Sequence, residues 1–69
     1  MNINKLKGLM AEYGCSRKDI ADLLGINEST FKNKLSGKSD FKFSEVQMLA
    51  NHFKVDINIF LPVSIQNGN

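Results

Sequence analysis

The stretch Ser16–Lys38, SRKDIADLLGINESTFKNKLSGK, decides how the rest of this chain must fold. It divides at Gly25 into two short segments whose apolar residues recur at helical spacing. Ile20, Leu23 and Leu24 mark the inner face of the first, with the small Ala21 among them. Phe31 and Leu35, at i and i+4, mark the inner face of the second. Ser16 precedes the first segment and Asn27 the second, and both side chains suit an N-cap, where an oxygen accepts from the free N–H groups of the first turn. The pairs Cys15 with Ile20 and Ile26 with Phe31 have the spacing of a hydrophobic staple around those caps. Asp19 stands at the positive end of its helix, where a carboxylate is favoured. Gly25 must turn the chain sharply, at positive φ and with little room for a side chain. Arg17, Lys18 and Asp22 are left to solvent on the first helix. On the second, Glu28, Ser29, Lys32 and Asn33 form the outer side.

Working outward, Leu6, Leu9, Met10 and Tyr13 follow the i, i+3, i+4, i+7 pattern of an N-terminal helix from about Asn2 to Tyr13, with Gly14 as its left-handed stop. Gly8 inside it costs about 1 kcal/mol against alanine. Downstream, Ser36-Gly37 ends the second helix of the central stretch, and Lys38–Lys42 reads as a loop. Ser44-Glu45-Val46-Gln47 has the spacing of a capping box, with Phe43 and Met48 as its staple. Val46, Leu49, Ala50 and Phe53 then predict a fourth helix ending near Phe53. Asp56 predicts a short fifth helix from Ile57 to about Leu61, with Val55 and Phe60 as its staple and Pro62 as its stop. The expected organisation is one domain over residues 1–62 and a tail over 63–69, frayed or assisting a dimer.

Composition narrows the classes. Sixty-nine residues hold one domain at most, near the small end of what folds without covalent or metal support. One cysteine excludes an internal disulfide, and one cysteine with one histidine excludes a zinc site of those ligands. No apolar run approaches the roughly 20 residues that span a bilayer, and the N-terminus carries no signal-peptide core, so a cytoplasmic setting is expected. A net charge of +2 points only weakly to a nucleic-acid partner. No nucleotide-binding glycine loop is present, and His52, the single histidine, has no nucleophile arranged near it. An enzyme is not expected, nor any cofactor, metal or small-molecule ligand.

Ile20-Ala21, Leu24-Gly25-Ile26 and Phe31, with Ser36-Gly37-Lys38 after them and Val55-Asp56 before the last helix, resemble the Cro/repressor-type helix-turn-helix family. The resemblance covers about Leu6 to Leu61. It implies the all-α, five-helix lambda-repressor-like fold, with the helix-turn-helix in helices 2 and 3, found in phage and bacterial regulators. Two positions depart from the pattern. The family's frequent glutamine after the second helix's cap is Arg17 here. The residue three after Phe31, commonly apolar, is Lys34, and Leu35 is expected to take over that face because i+3 and i+4 are neighbours.

The resemblance implies double-stranded DNA as the partner, with helix 3 in the major groove and its first turns reading bases. Glu28, Ser29, Lys32 and Asn33 are the candidate base readers, with Thr30 behind them. Asparagine pairs bidentately with adenine, and glutamate accepts from cytosine. Arg17, Lys18, Asn27, Lys34, Lys38, Ser39 and Lys42 are the candidate phosphate contacts. Between Lys32 and Lys42 four lysines face a lone Asp40. Two or three phosphate contacts per subunit give roughly micromolar binding at best. A specific regulator therefore calls for a homodimer, with recognition helices about 34 Å apart on a near-palindromic site. Ile57, Ile59, Phe60, Val63 and Ile65 are the candidate interface, through the fifth helix or a strand at Val63–Gln66; the competing reading has Ile57, Phe60 and Leu61 complete the core of the monomer and leaves Ile59, Val63 and Ile65 over. The expected function is a small Cro-like repressor. The rival is an antitoxin or other protein-binding module built on the same fold.

Overall fold

The computed structural model describes residues 1–61. Four α-helices follow one another, α1 (Ile3–Tyr13), α2 (Arg17–Leu24), α3 (Glu28–Ser36) and α4 (Phe43–Phe53), and a 3₁₀ turn, Ile57–Ile59, comes after them. No strand occurs among the described residues.

Local chemistry explains where three of the helices begin. The side chain of Asn2 accepts from Lys5 N–H at 3.1 Å, and that of Asn27 accepts from Thr30 N–H at 2.7 Å. Ser16 and Asp19 form a reciprocal box, hydroxyl to Asp19 N–H at 3.0 Å and carboxylate to Ser16 N–H at 2.9 Å. These partners satisfy donors that a helix cannot satisfy internally. The fourth helix starts earlier than the Ser44 box predicts. Its cap is Lys42, whose backbone N–H donates to Glu45 Oε1 at 2.8 Å. Ser44 therefore sits inside the first turn. Phe43 and Met48 are exposed rather than stapled. Phe41 and Val46 take the staple positions instead, with Phe41 packed against the core and Val46 buried within it.

All four helices end the same way. At α2, Gly25 N–H donates to Asp22 O at 3.2 Å and Ile26 N–H to Ala21 O at 3.0 Å, the paired bonds of a Schellman closure. Equivalent pairs follow Gly14, Gly37 and Lys54. Gly25 has φ +72°, and a Cβ added there would meet no atom within 4 Å. Backbone conformation, not crowding, is the reason for glycine at this turn.

The core gathers Leu6, Leu9 and Met10 from α1, Ile20, Ala21 and Leu24 from α2, Phe31 from α3, and Val46, Leu49, Ala50 and Phe53 from α4. Phe60 completes it, fully buried, and its carbonyl accepts from Asn2 N–H at 2.6 Å, so the two ends of the described chain meet. Tyr13 is exposed, its ring stacked on Phe53 with centroids 5.4 Å apart.

The predicted fifth helix is a single 3₁₀ turn. Ile59, Phe60 and Leu61 donate to Asp56, Ile57 and Asn58 in succession, each three residues back. The run is too short for an α-helical ladder. Pro62 has no N–H to extend it and disfavours helical backbone in the residue before it. Burial of Phe60 also removes it from the expected dimer surface. Ile57 and Ile59 remain half-buried, while Val63 and Ile65, and with them the expected tail and the alternative strand, lie outside the described residues. No helix of the described residues is long and apolar enough to cross a membrane.

A core role for Phe60 has a measurable consequence. Phe60→Ala should lower unfolding free energy by about 3–5 kcal/mol in urea titrations, as buried Phe→Ala changes do. The loss should be the same at low and high protein concentration, whereas an interface residue would give a concentration-dependent effect.

Candidate nucleic-acid interface

The closure at Gly25 and the cap at Asn27 leave only Ile26 between them, so α3 starts abruptly against α2. Phe31 points inward and is fully buried. One and two residues on, Lys32 and Asn33 emerge on the surface, with Glu28 and Ser29 before them. All four predicted base readers are exposed, and Thr30 is half-buried. Arg17 joins Glu28, Ser29 and Lys32 around a shallow depression, which brings the N-terminal ends of α2 and α3 onto one surface.

Hydrogen bonding already assigns part of this surface. Asn27 Oδ1 accepts from Thr30 N–H and from the Ser29 hydroxyl at 3.1 Å. Its amide nitrogen remains as a donor, and Ser29, with its proton committed, presents oxygen lone pairs outward. The first turn of α3 thus offers acceptors from Glu28 and Ser29, followed by the ammonium of Lys32 and the amide of Asn33. Lys18 pairs with Asp22 at 3.2 Å, but both side chains are mostly in water, so the pair is weak and a phosphate can replace the carboxylate.

At the other end of α3, the Asn33 carbonyl accepts from Lys38 N–H at 2.9 Å and Ser39 N–H at 3.4 Å. Elsewhere the Schellman partners at these two positions, Met10 with Cys15, Ala21 with Ile26 and Ala50 with Val55, are apolar. Here they are Asn33 and Lys38, both exposed. Ser39 and Lys42 are exposed in the same loop.

Lys34 departs from the expectation. It is buried at 7 % exposure, and its ammonium lies 3.0 Å from Glu45 Oε1 and donates to Asp40 O at 2.8 Å. The inner position three after Phe31 is thus occupied by Lys34 itself, and Leu35 packs half-buried against the core beside it. A lysine held in this way is not a phosphate contact. Lys32, Lys38 and Lys42 are the exposed cations left in the segment, against an exposed Asp40. Placing Glu45 in a Ser44 box misses its pairing with Lys34. The signal is in the sequence all the same: a charged residue at an inner position of a helix needs an opposite charge.

Burial pushes the Glu45 carboxyl upward. The hydrogen bonds from Lys42 N–H and the Lys34 ammonium, together with the charges of Lys34 and Lys42, outweigh it and hold the group below its ordinary value of 4.5. Asp19 is also lowered, first by the Ser16 N–H bond and then by the Ser16 hydroxyl.

The family model of the Cro/C1-type HTH DNA-binding domain matches residues 5–58. The chain belongs to that family. The matched span of this Cro/C1-type domain contains α2, the Gly25 turn and α3 entire, with the loop and α4 that brace them. No curated protein and no solved structure matches significantly.

A depressed Glu45 carboxyl stabilises the fold above about pH 4.5, and the contribution is lost as pH falls through the lower native value. Urea midpoints should therefore stay level down to about pH 5 and decline below it. Glu45→Gln keeps an oxygen for Lys42 N–H. It should lower the midpoint at neutral pH and shrink the acid-side decline.

Proposed function

We propose that this Cro/C1-type domain is a small sequence-specific transcriptional repressor that occupies a near-palindromic operator as a homodimer. One observation carries the reading: Glu28, Ser29 and Lys32 in the exposed first turns of α3 share a surface with Arg17 at the start of α2, and Asn33, next to Lys32, is exposed as well. That arrangement suits a recognition helix lying in the major groove, with the helix before it crossing the phosphates. Asn33 reads adenine, Glu28 and Ser29 accept from base amino groups, and Lys32 reaches guanine. Arg17, Lys18, Asn27, Lys38, Ser39 and Lys42 hold the backbone, which fixes register without carrying sequence information.

The dimer reading rests on affinity and on apolar surface. A few phosphate contacts leave a monomer weak and salt-sensitive. Ile57 and Ile59 are half-buried, and Ile57 borders a groove of about 510 Å³ with Met48 and Val55. Val63 and Ile65 extend that apolar character in sequence. Repression then follows from occupancy that blocks polymerase.

Selection of bound sites from random duplex DNA tests the whole reading, because it reports sequence preference, half-site spacing and stoichiometry together. Recovery of two half-sites about one helical turn apart is the expected result. A pool with no preferred sequence overturns the proposal and favours a protein-binding role such as an antitoxin. On the selected site, Asn33→Ala should lose about 1–3 kcal/mol of discrimination at one base pair. Lys38→Ala with Lys42→Ala should weaken binding to all duplexes alike and reduce the salt slope by about 0.9 for each phosphate that is no longer neutralised.

A further inference from the structure

The loop between α3 and α4 is anchored at every residue. Lys38 and Ser39 donate their N–H groups to the Asn33 carbonyl. The Asp40 carbonyl accepts from Lys34 Nζ at 2.8 Å. The Phe41 ring lies beneath the same ammonium, 5.8 Å from its centroid, and packs edge-on against Phe31 at 6.1 Å. Lys42 N–H donates to Glu45 Oε1 at 2.8 Å, and that oxygen is also 3.0 Å from Lys34 Nζ. Lys34 and Glu45 are buried, and no buried side-chain nitrogen or oxygen among the described residues lacks a partner.

A buried ion pair is a poor device for stability alone, since apolar residues of similar volume do as well or better. This pair does what apolar residues cannot. Lys34 holds a loop carbonyl and Glu45 holds a loop N–H, so the pair fixes the backbone on both sides of Phe41. Lys38 and Lys42, at the two ends of that loop, are exposed.

We propose that Lys34 and Glu45 are a positioning pair for DNA binding, holding the Lys38–Lys42 loop so that its two lysines meet phosphates in register with the recognition helix. The inference rests on the DNA-binding reading given above. Lys34 touches no phosphate itself, and its effect passes through Lys38 and Lys42. A preset loop binds without first losing its conformational freedom, which is how preorganisation raises affinity.

The test is a cycle on the selected duplex. Lys34→Met with Glu45→Leu removes both charges and leaves neither buried unpaired, and thermal unfolding followed by circular dichroism checks that it folds. Its affinity should fall by about tenfold, with a smaller salt slope, because fewer phosphates are neutralised. Adding Lys38→Ala and Lys42→Ala to that variant should cost much less than the same two changes cost the unaltered protein, since interacting sites are not additive. Where the Met/Leu variant does not fold, the exchanged pair, Lys34→Glu with Glu45→Lys, takes its place. It keeps opposite charges together but puts a carboxylate where the donor to Asp40 O stood and an ammonium where the acceptor from Lys42 N–H stood, so the same losses are expected. A folded variant with unchanged affinity and slope, or losses that simply add, overturns the positioning role while leaving DNA binding intact. Failure of the unaltered protein to bind any duplex overturns the DNA-binding reading itself, and this proposal with it.

Discussion

The left-handed backbone at Gly25 is the constraint on which the rest of the interface depends. Two hydrogen bonds close α2 there, and Asn27 opens α3 only two residues later. With so short a connection, the rotation of α3 about its own axis is set by what it must bury. Phe31 is that anchor, fully buried in the core cluster to which α2 and α4 also contribute. Once Phe31 points inward, helical geometry turns Ser29, Lys32 and Asn33 outward. The surface proposed to meet DNA is thus the complement of the surface that makes the core.

Lys34 shows how a charge can be moved from the exterior to structural use. On an isolated α3 it would enlarge the basic face. Docked against α4 it loses that role, because its stem occupies an inner position and its ammonium is held by Glu45 and Asp40. The interior tolerates the charge because it is paired and hydrogen-bonded. The basic face consequently rests on fewer cations than lysine spacing suggests, which makes the placement of each remaining one matter more.

Nearly all of the helix-turn-helix was legible in the chain itself. Ser16, Asn27 and Gly25 act on neighbours within a few positions, and so do the staple pairs, so a local reading identifies them. The exposure of Ser29, Lys32 and Asn33 follows from the period of the same helix. The first residue of α4 was not legible, because Glu45 is compatible with a start at Lys42 or at Ser44. The choice between them involves Lys34, which lies on a different helix.

The same division runs through the whole molecule. Sequence alone determined the boundaries of the first three helices and the turn between α2 and α3, since caps and closures are short-range. Tertiary structure alone decided that Lys34 is interior, that Phe60 belongs to the core and not to an outer face, and that Phe43 and Met48 remain in solvent. Burial depends on which distant segments arrive at a residue. The Asn2–Phe60 hydrogen bond, joining the two ends of the described chain, is the kind of contact that no local pattern encodes.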